Sequence, residues 1–443
     1  MQRPPAPGAT RHLRVVVAAG IAGALMGAFL PLGAYAAASA TGTIATYSTP
    51  TPGSGPAKIT VGPDGALWFT ENNAGYIGRL DPSTGAITEY PIPSPGTQPV
   101  GIVAADGKLW FAENQGDDIG SVDPSLVIPG KSTGIEQYKV PTAGSDPQNI
   151  TALDGQIWFT EQVADKIGRL DPSKVVPGTS DGIFEYPIPT PGSEPNGITV
   201  GPGVGTGAGT WVWFTEYGAG KIGAINPTAA VPGTSDGISE YLLRGEFGAV
   251  GGGIGARNIA ESTDGRIWFT EYGDGGIGVL NPRQARAGTS EGITEYPLPN
   301  ASQDQNPGPR GIVGGPADIV WFTEYNANVV ATVGPSGTFG GPYSAGLPAD
   351  GGARSIDVGP VGDDRMWVTE YNTNVIASVG IGTTITATPT PAVATVSSGQ
   401  PSPANSAHGG FPLLIVLVVV VVLLAGGGAT AIGIRRRRPA AQV

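Results

Sequence analysis

The stretch 66-ALWFTENNAGYIGRLDP-82 sets two large aromatics, Trp68 and Phe69, side by side and follows them at once with Thr70, Glu71, Asn72 and Asn73. A strand with one wet face alternates apolar with polar residues, and an amphipathic helix spaces its apolar residues three and four apart. Neither pattern places Trp next to Phe. The motif returns as LWFAEN from 109, IWFTEQ from 157, VWFTEY from 212, IWFTEY from 267, VWFTEY from 320 and MWVTEY from 366. Trp68, Trp110, Trp158, Trp213, Trp268, Trp321 and Trp367 stand 42, 48, 55, 55, 53 and 46 residues apart. Repeats of this length built of short strands predict a β-propeller with one repeat per blade.

Each unit reads as a strand such as GITVGP, a turn that is often DG, the W-F-T-E strand, a polar turn, a strand such as KIGRLDP, a longer turn and a strand such as GITEYPLP. That is four strands joined by turn residues, and it predicts an all-β, seven-bladed propeller over residues 41–382. A blade is buried against its neighbours on both faces, so Trp68 and Phe69 can point to opposite sides and each enter a core. The seventh blade lacks its own outer strand. GTIATYSTP (42–50) resembles GAITEYPIP (85–93) and is the preferred closing strand, ahead of TTITATPTP (383–391). Blade six has the least defined outer strand, within GTFGGPYSAGLP.

The chain holds 72 glycines and 42 prolines, with no cysteine and two histidines, His12 and His408, both outside the repeats. A disulfide framework and thiol chemistry are excluded, and a histidine base within the repeats with them. Arg3, Arg11 and Arg14 precede an apolar run ending near Ala-Ser-Ala at 38–40, which predicts a signal peptide over 1–40. Residues 383–410 are rich in Pro, Thr and Ser and read as a stalk. FPLLIVLVVVVVLLAGGGATAIGI (411–434) carries no charge and precedes Arg435 to Arg438, predicting a transmembrane helix and a basic cytoplasmic tail over 435–443. The expected placement is the cell membrane, single-pass type I, with the propeller extracellular. All 36 acidic residues but only 17 of the 24 basic ones lie between these ends, which disfavours nucleic acid as a partner.

Units such as KITVGPDGALWFTENNAGYIGRLDPSTGAITEYPIP (58–93) resemble those of the streptogramin B lyase (virginiamycin B lyase) family, seven-bladed propellers with W-F-T-E repeats. The resemblance implies a lyase that opens a cyclic depsipeptide at its ester bond by elimination, with Mg²⁺ and a histidine general base near the propeller mouth. It also implies that a histidine can occupy the first x of a P-x-x-I segment opening an inner strand. Here those positions are Ala57, Val100, Gln148, Asn196, Arg257, Arg310 and Arg354, and the proline itself is Ala256 and Ala353 in two segments. None supplies an imidazole, so a lyase reaction would require another base, such as a desolvated glutamate.

Inner strands begin on the face where the W-F-T-E strands end. Glu71, Glu113, Glu161, Glu216, Glu271, Glu324 and Glu370 are therefore expected to ring the mouth, as acceptors for a cation or as caps of their own turns. The departures from the repeat carry more information. Blades five to seven place Arg257, Arg310 and Arg354 at the inner-strand entrance, where blades three and four place Gln148 and Asn196. After the glutamate stand Asn72, Asn114 and Gln162 in blades one to three, but Tyr217, Tyr272, Tyr325 and Tyr371 in blades four to seven. Arginine forks carboxylate, phosphate or sulfate, and tyrosine stacks on flat rings and sugars. Two roles follow for the arginines: binding a small anionic or carbohydrate-like ligand or an acidic peptide, or locking the ring through neighbouring glutamates. The expected function is a membrane-anchored extracellular ligand-binding or protein-interaction module. The alternative is a streptogramin B lyase-like enzyme working with Mg²⁺ and a non-histidine base.

Overall fold

In a computed structural model of the chain, the described residues are 36–37, 43–205, 208–245, 255–301, 306–344 and 346–381. The stalk, membrane helix and basic tail fall outside them. So does the signal segment, except Ala36 and Ala37, a two-residue strand parallel to Gly340 and Gly341. Among the described residues no helix is long and apolar enough to cross a membrane.

Seven antiparallel sheets follow one another in chain order. Blade one consists of Pro56–Val61, Leu67–Glu71, Tyr76–Leu80 and Ile87–Pro91, innermost strand first. The next five blades repeat this order, each innermost strand neighbours the next, and that of blade seven meets that of blade one. Blade seven is Ala353–Val358, Arg365–Glu370 and Val375–Gly380, completed by Ile44–Ser48 from the start of the chain. This last strand pairs antiparallel, Tyr47 opposite Ile376, so the N-terminal segment closes the ring. The outer strand of blade six is Phe339–Tyr343, and its register slips between Val330 and Thr332.

Adjacent Trp and Phe divide between two interfaces, as the two-sided burial of a blade requires. Trp68 packs with Leu109 and Phe111 of blade two, whereas Phe69 packs with Trp367 and Ile376 of blade seven. The same partition recurs round the ring: Trp110 with Phe159, Trp158 with Phe214, Trp213 with Phe269 and Trp268 with Phe322. Trp321 meets Val368, the one site where Phe is replaced. Within each blade the Trp ring also lies on the outer-strand tyrosine, at centroid distances from 5.3 Å for Trp321 and Tyr343 to 6.3 Å for Trp268 and Tyr296. Trp367 finds this partner in Tyr47, 5.5 Å away, which explains why the closing strand resembles the other outer strands. Phe69 needs a glycine opposite it, because a Cβ on Gly78 would lie 2.2 Å from its ring.

Every innermost strand slips register just after its first residue, as between Pro56 and Ile59. The slip takes the third residue's N–H out of the ladder, and the motif threonine accepts it: Lys58 donates to Thr70 Oγ1 at 3.1 Å and Asn149 to Thr160 Oγ1 at 3.1 Å. The same hydroxyl donates across the blade boundary, from Thr70 to Val100 O at 2.7 Å, Thr160 to Asn196 O at 2.8 Å and Thr215 to Arg257 O at 2.9 Å. Thr369 to Ala57 O, at 3.1 Å, carries this bridge over the ring closure. Blade two has Ala112 instead and lacks the bridge to blade three.

Replacing Thr160 by Val leaves the Asn149 N–H and the Asn196 carbonyl without this partner, an expected cost of about 1–3 kcal/mol in denaturant unfolding. Ala112→Thr supplies the missing bridge and is expected to raise stability by about 1 kcal/mol. Unchanged midpoints in both variants would show that the bridges contribute nothing.

Candidate ligand site at the mouth of the ring

The second residues of the seven innermost strands, Ala57, Val100, Gln148, Asn196, Arg257, Arg310 and Arg354, converge on one opening of about 20 Å³. A space of this size admits one small group at the end of a ligand rather than its whole body. The register slip brings residues from the third position to the same opening: Lys58, Asn149, Asn258 and Ser355. In the intervening blades that position is Gly101, Gly197 and Gly311, and a Cβ at Gly197 would lie 2.6 Å from the Arg257 carbonyl. The polar residues at the third position are legible only once the slip is known, since an unbroken strand turns alternate residues away from the axis.

The three arginines line the opening, whereas Tyr217, Tyr272, Tyr325 and Tyr371 are not among its lining residues and lie against the guanidinium groups instead. Arg257 lies over the rings of Tyr217 and Tyr272 at 5.5 and 5.2 Å, Arg310 over Tyr325 at 4.9 Å and Arg354 over Tyr371 at 4.4 Å. The Tyr371 hydroxyl donates to Asn72 Oδ1 at 3.2 Å and to Asn73 Oδ1 at 2.9 Å. Each tyrosine leans over the residue that leads into the next blade. There Gly255, Gly308, Gly352 and Gly55 all have positive φ, and a Cβ would lie 3.0–3.2 Å from the ring. Where the preceding blade has Asn72, Asn114 or Gln162, the corresponding residues are Gln98, Asp146 and Glu194, side chains held at positive φ. Tyrosine and glycine thus occur together for a steric reason, and the arginine completes the stack.

Among the described residues no carboxylate lines the opening. None of the ion pairs among the described residues involves Arg257, Arg310 or Arg354, so the ring-locking role through glutamates is not what these side chains perform. Burial depresses the pKa of all three. Arg310 falls well below its ordinary value, with Arg354 and Arg257 adding repulsion, and Arg354 is pushed down to about 10. At neutral pH they remain charged, and an anion in the opening would relieve both the burial and the repulsion.

The glutamates do not ring this mouth. Glu71, Glu113, Glu161, Glu216, Glu271, Glu324 and Glu370 are all 0% exposed. They sit at the correct end of their strands, but the loop entering the blade covers them, placing Ser54 near Glu71, Thr97 near Glu113 and Ser145 near Glu161. Side chains reach two of them, Gln137 donating to Glu113 and Asn300 to Glu324. Burial, followed by the outer-strand Glu89, pushes the Glu71 pKa up to about 9, and burial with Glu240 does the same for Glu216. In blade two the outer residue is Gln137, which donates to both oxygens of Glu113, and that group rises only to about 7. The outer glutamates have structural work of their own, Glu89 accepting the N–H and hydroxyl of Thr51 at 2.9 and 2.6 Å.

The Mg²⁺ implied by the resemblance does not fit these residues. A hard cation requires several oxygen ligands, of which carboxylates are the strongest, whereas the opening presents three guanidinium groups and Lys58. The glutamates stand singly in separate blades, and among the described residues no three His, Cys, Asp or Glu side chains form a metal-holding group. No histidine occurs between 43 and 381.

A ring of seven blades with its polar centre at the inner-strand entrances defines a seven-bladed β-propeller with an axial site. The profile of the virginiamycin B lyase family matches residues 11–205 and 203–405, and the chain belongs to that family. Virginiamycin B lyase from Saccharopolyspora erythraea is 51% identical over 45 residues, a match spanning 10% of this chain and only 15% of that relative. A solved streptogramin B lyase superposes with a TM-score of 0.61 at 28% identity, covering 76% of this chain and 97% of that one. A catalytically inactive histidine-to-alanine virginiamycin B lyase from Staphylococcus aureus, solved with quinupristin, gives 0.61 at 26% identity over 76% of this chain and 99% of that one.

Because the buried glutamates bind protons more tightly folded than unfolded, folding stability should fall as pH rises from about 4.5 towards 9. Glu216→Gln removes one such group. Its melting temperature should fall less steeply than that of the parent over this window, and equal slopes would refute the assignment.

Proposed function

We propose that the chain is a membrane-anchored, extracellular binding module whose mouth takes an anion-bearing ligand, such as a carboxylated or sulfated glycan or an acidic peptide. The observation that carries this reading is the convergence of Arg257, Arg310 and Arg354 on one opening lined by no carboxylate. Gln148 and Asn196, opposite them, add neutral hydrogen-bonding groups for the rest of such a ligand. The tyrosines act by holding the guanidinium groups, because rings already lying against a guanidinium offer less free face to a sugar. Attachment through 411–434, with the propeller outside the cell, follows from the charge-free span and the four arginines after it.

Family membership favours a second reading, opening of a cyclic depsipeptide ester. Its weakness is chemical: the opening holds no imidazole, and the family glutamates lie under the loops rather than beside it.

Calorimetric titration of sulfated and carboxylated oligosaccharides and acidic peptides should detect binding to the parent protein. Loss of charge-assisted bonds at about 1.5–3 kcal/mol each should weaken it at least about 100-fold in the Arg257, Arg310 and Arg354 triple alanine variant. Incubation with a streptogramin B and Mg²⁺ should leave the ring intact. Undiminished binding in the triple variant, or catalytic ring opening by the parent, would overturn the proposal.

A further inference from the structure

The chain has seven lysines, and Lys58 is unlike the others. Lys139, Lys166, Lys174 and Lys221 are held in ion pairs with Asp118, Glu185, Asp171 and Glu240. Lys58 makes no ion pair among the described residues and lines the mouth beside the three arginines. It also breaks the repeat, standing where the other blades carry Gly101, Asn149, Gly197, Asn258, Gly311 and Ser355. Asp357, on the innermost strand of the adjoining blade seven, attracts it without reaching ion-pair distance. Its amine is therefore free of a hydrogen-bonded carboxylate, half-buried and set beside cationic groups.

We infer that Lys58 is a reactive amine that captures, as an imine, the carbonyl carbon of an anionic aldehyde or keto acid whose acid group is held by Arg257, Arg310 and Arg354. The inference rests on the anion-binding reading of the mouth. In the step, the Nζ lone pair adds to the carbonyl carbon, the carbonyl oxygen leaves as water with two protons from the amine, and a C=N bond replaces C=O. No oxidant or metal enters. Burial lowers the Lys58 pKa, and Asp357 opposes the shift only in part, so a larger share of the amine carries the free lone pair than on a solvated lysine. The guanidinium groups cannot compete as nucleophiles, because they remain protonated. They supply the counter-charge that draws an acid to the opening.

The test uses the purified full chain with pyridoxal 5′-phosphate, which joins an aldehyde to a phosphate, followed by borohydride reduction and peptide mapping. Label is expected on Lys58 at about tenfold or more over each other lysine, as for an activated amine beside an anion site. Pyruvate should protect it, pyridoxal without the phosphate should label it more slowly, and Lys58→Arg should abolish that label while keeping the charge. Even labelling of all seven lysines, or labelling of Lys58 unaffected by pyruvate and by the triple arginine variant, would overturn the inference. A thermal shift on adding inorganic phosphate separates the two proposals. A shift that depends on the arginines without selective labelling removes the imine and leaves the anion site, whereas no shift removes the anion site itself. Mapping on the parent protein decides the matter even if Lys58→Arg does not fold.

Discussion

The structure depends on one repeated contact, the tryptophan of each blade packed beside the phenylalanine of the next, or beside Val368 where blade six meets blade seven. A W-F pair on one strand commits both faces of that strand to burial, and a single four-stranded sheet offers no second layer to receive them. Burying side chains of this size is worth roughly 1.5–3 kcal/mol each, so an isolated blade would leave much of its driving force unused. Only the closed ring satisfies all seven, and the outer strand of the last blade must come from the far end of the chain. Tyr47 on Trp367, with Thr369 bridging to the Ala57 carbonyl, makes the closing seam chemically the same as the others.

The register slip in the innermost strands lets this rigid ring carry a variable site. It removes one N–H from the ladder, the motif threonine satisfies that N–H and also ties the next blade, and residues on either side of the slip can face the opening. The core is thereby indifferent to what stands at these positions. Blades three and four hold amides there and blades five to seven arginines, with no change in the packing behind them. The tyrosines are more constrained. Each needs a glycine at the start of the following blade, so the tyrosine of one blade and the entering glycine of the next go together.

Membership of the virginiamycin B lyase family describes the scaffold, and the site must be argued separately. Where the resemblance implies a histidine, this ring has alkyl, amide or guanidinium side chains. The motif glutamates, the remaining candidates for a base, are buried; burial draws Glu71, Glu113, Glu161, Glu216 and Glu370 toward their neutral form, and Glu89, Glu185 and Glu240 add to it beside Glu71, Glu161 and Glu216. An opening rich in guanidinium and free of carboxylate favours anions over the cation that lyase chemistry uses.

Much of the fold was readable because its cause is local and repeated. The W-F-T-E spacing, the turn residues and the outer-strand tyrosines report the blade count, the four-strand blade and the closing segment. Strand direction likewise placed Arg257, Arg310 and Arg354 at one end of the ring, since antiparallel order determines which strand ends share a face. It also placed the seven glutamates at that end, but a strand's direction says nothing about what lies over its last side chain. The loop that covers each one enters the same blade, and only its packing decides that Glu71 is a buried acid rather than a ligand. The same holds for Lys58. As a residue it is an ordinary lysine after an alanine, and its company of three guanidinium groups and a distant Asp357 comes from blades up to some three hundred positions along the chain. Sequence by itself determined the repeat, the ring and which positions break the pattern. Tertiary structure alone decided which of those positions share a desolvated space, because burial and electrostatic neighbourhood belong to the closed ring and to no blade within it.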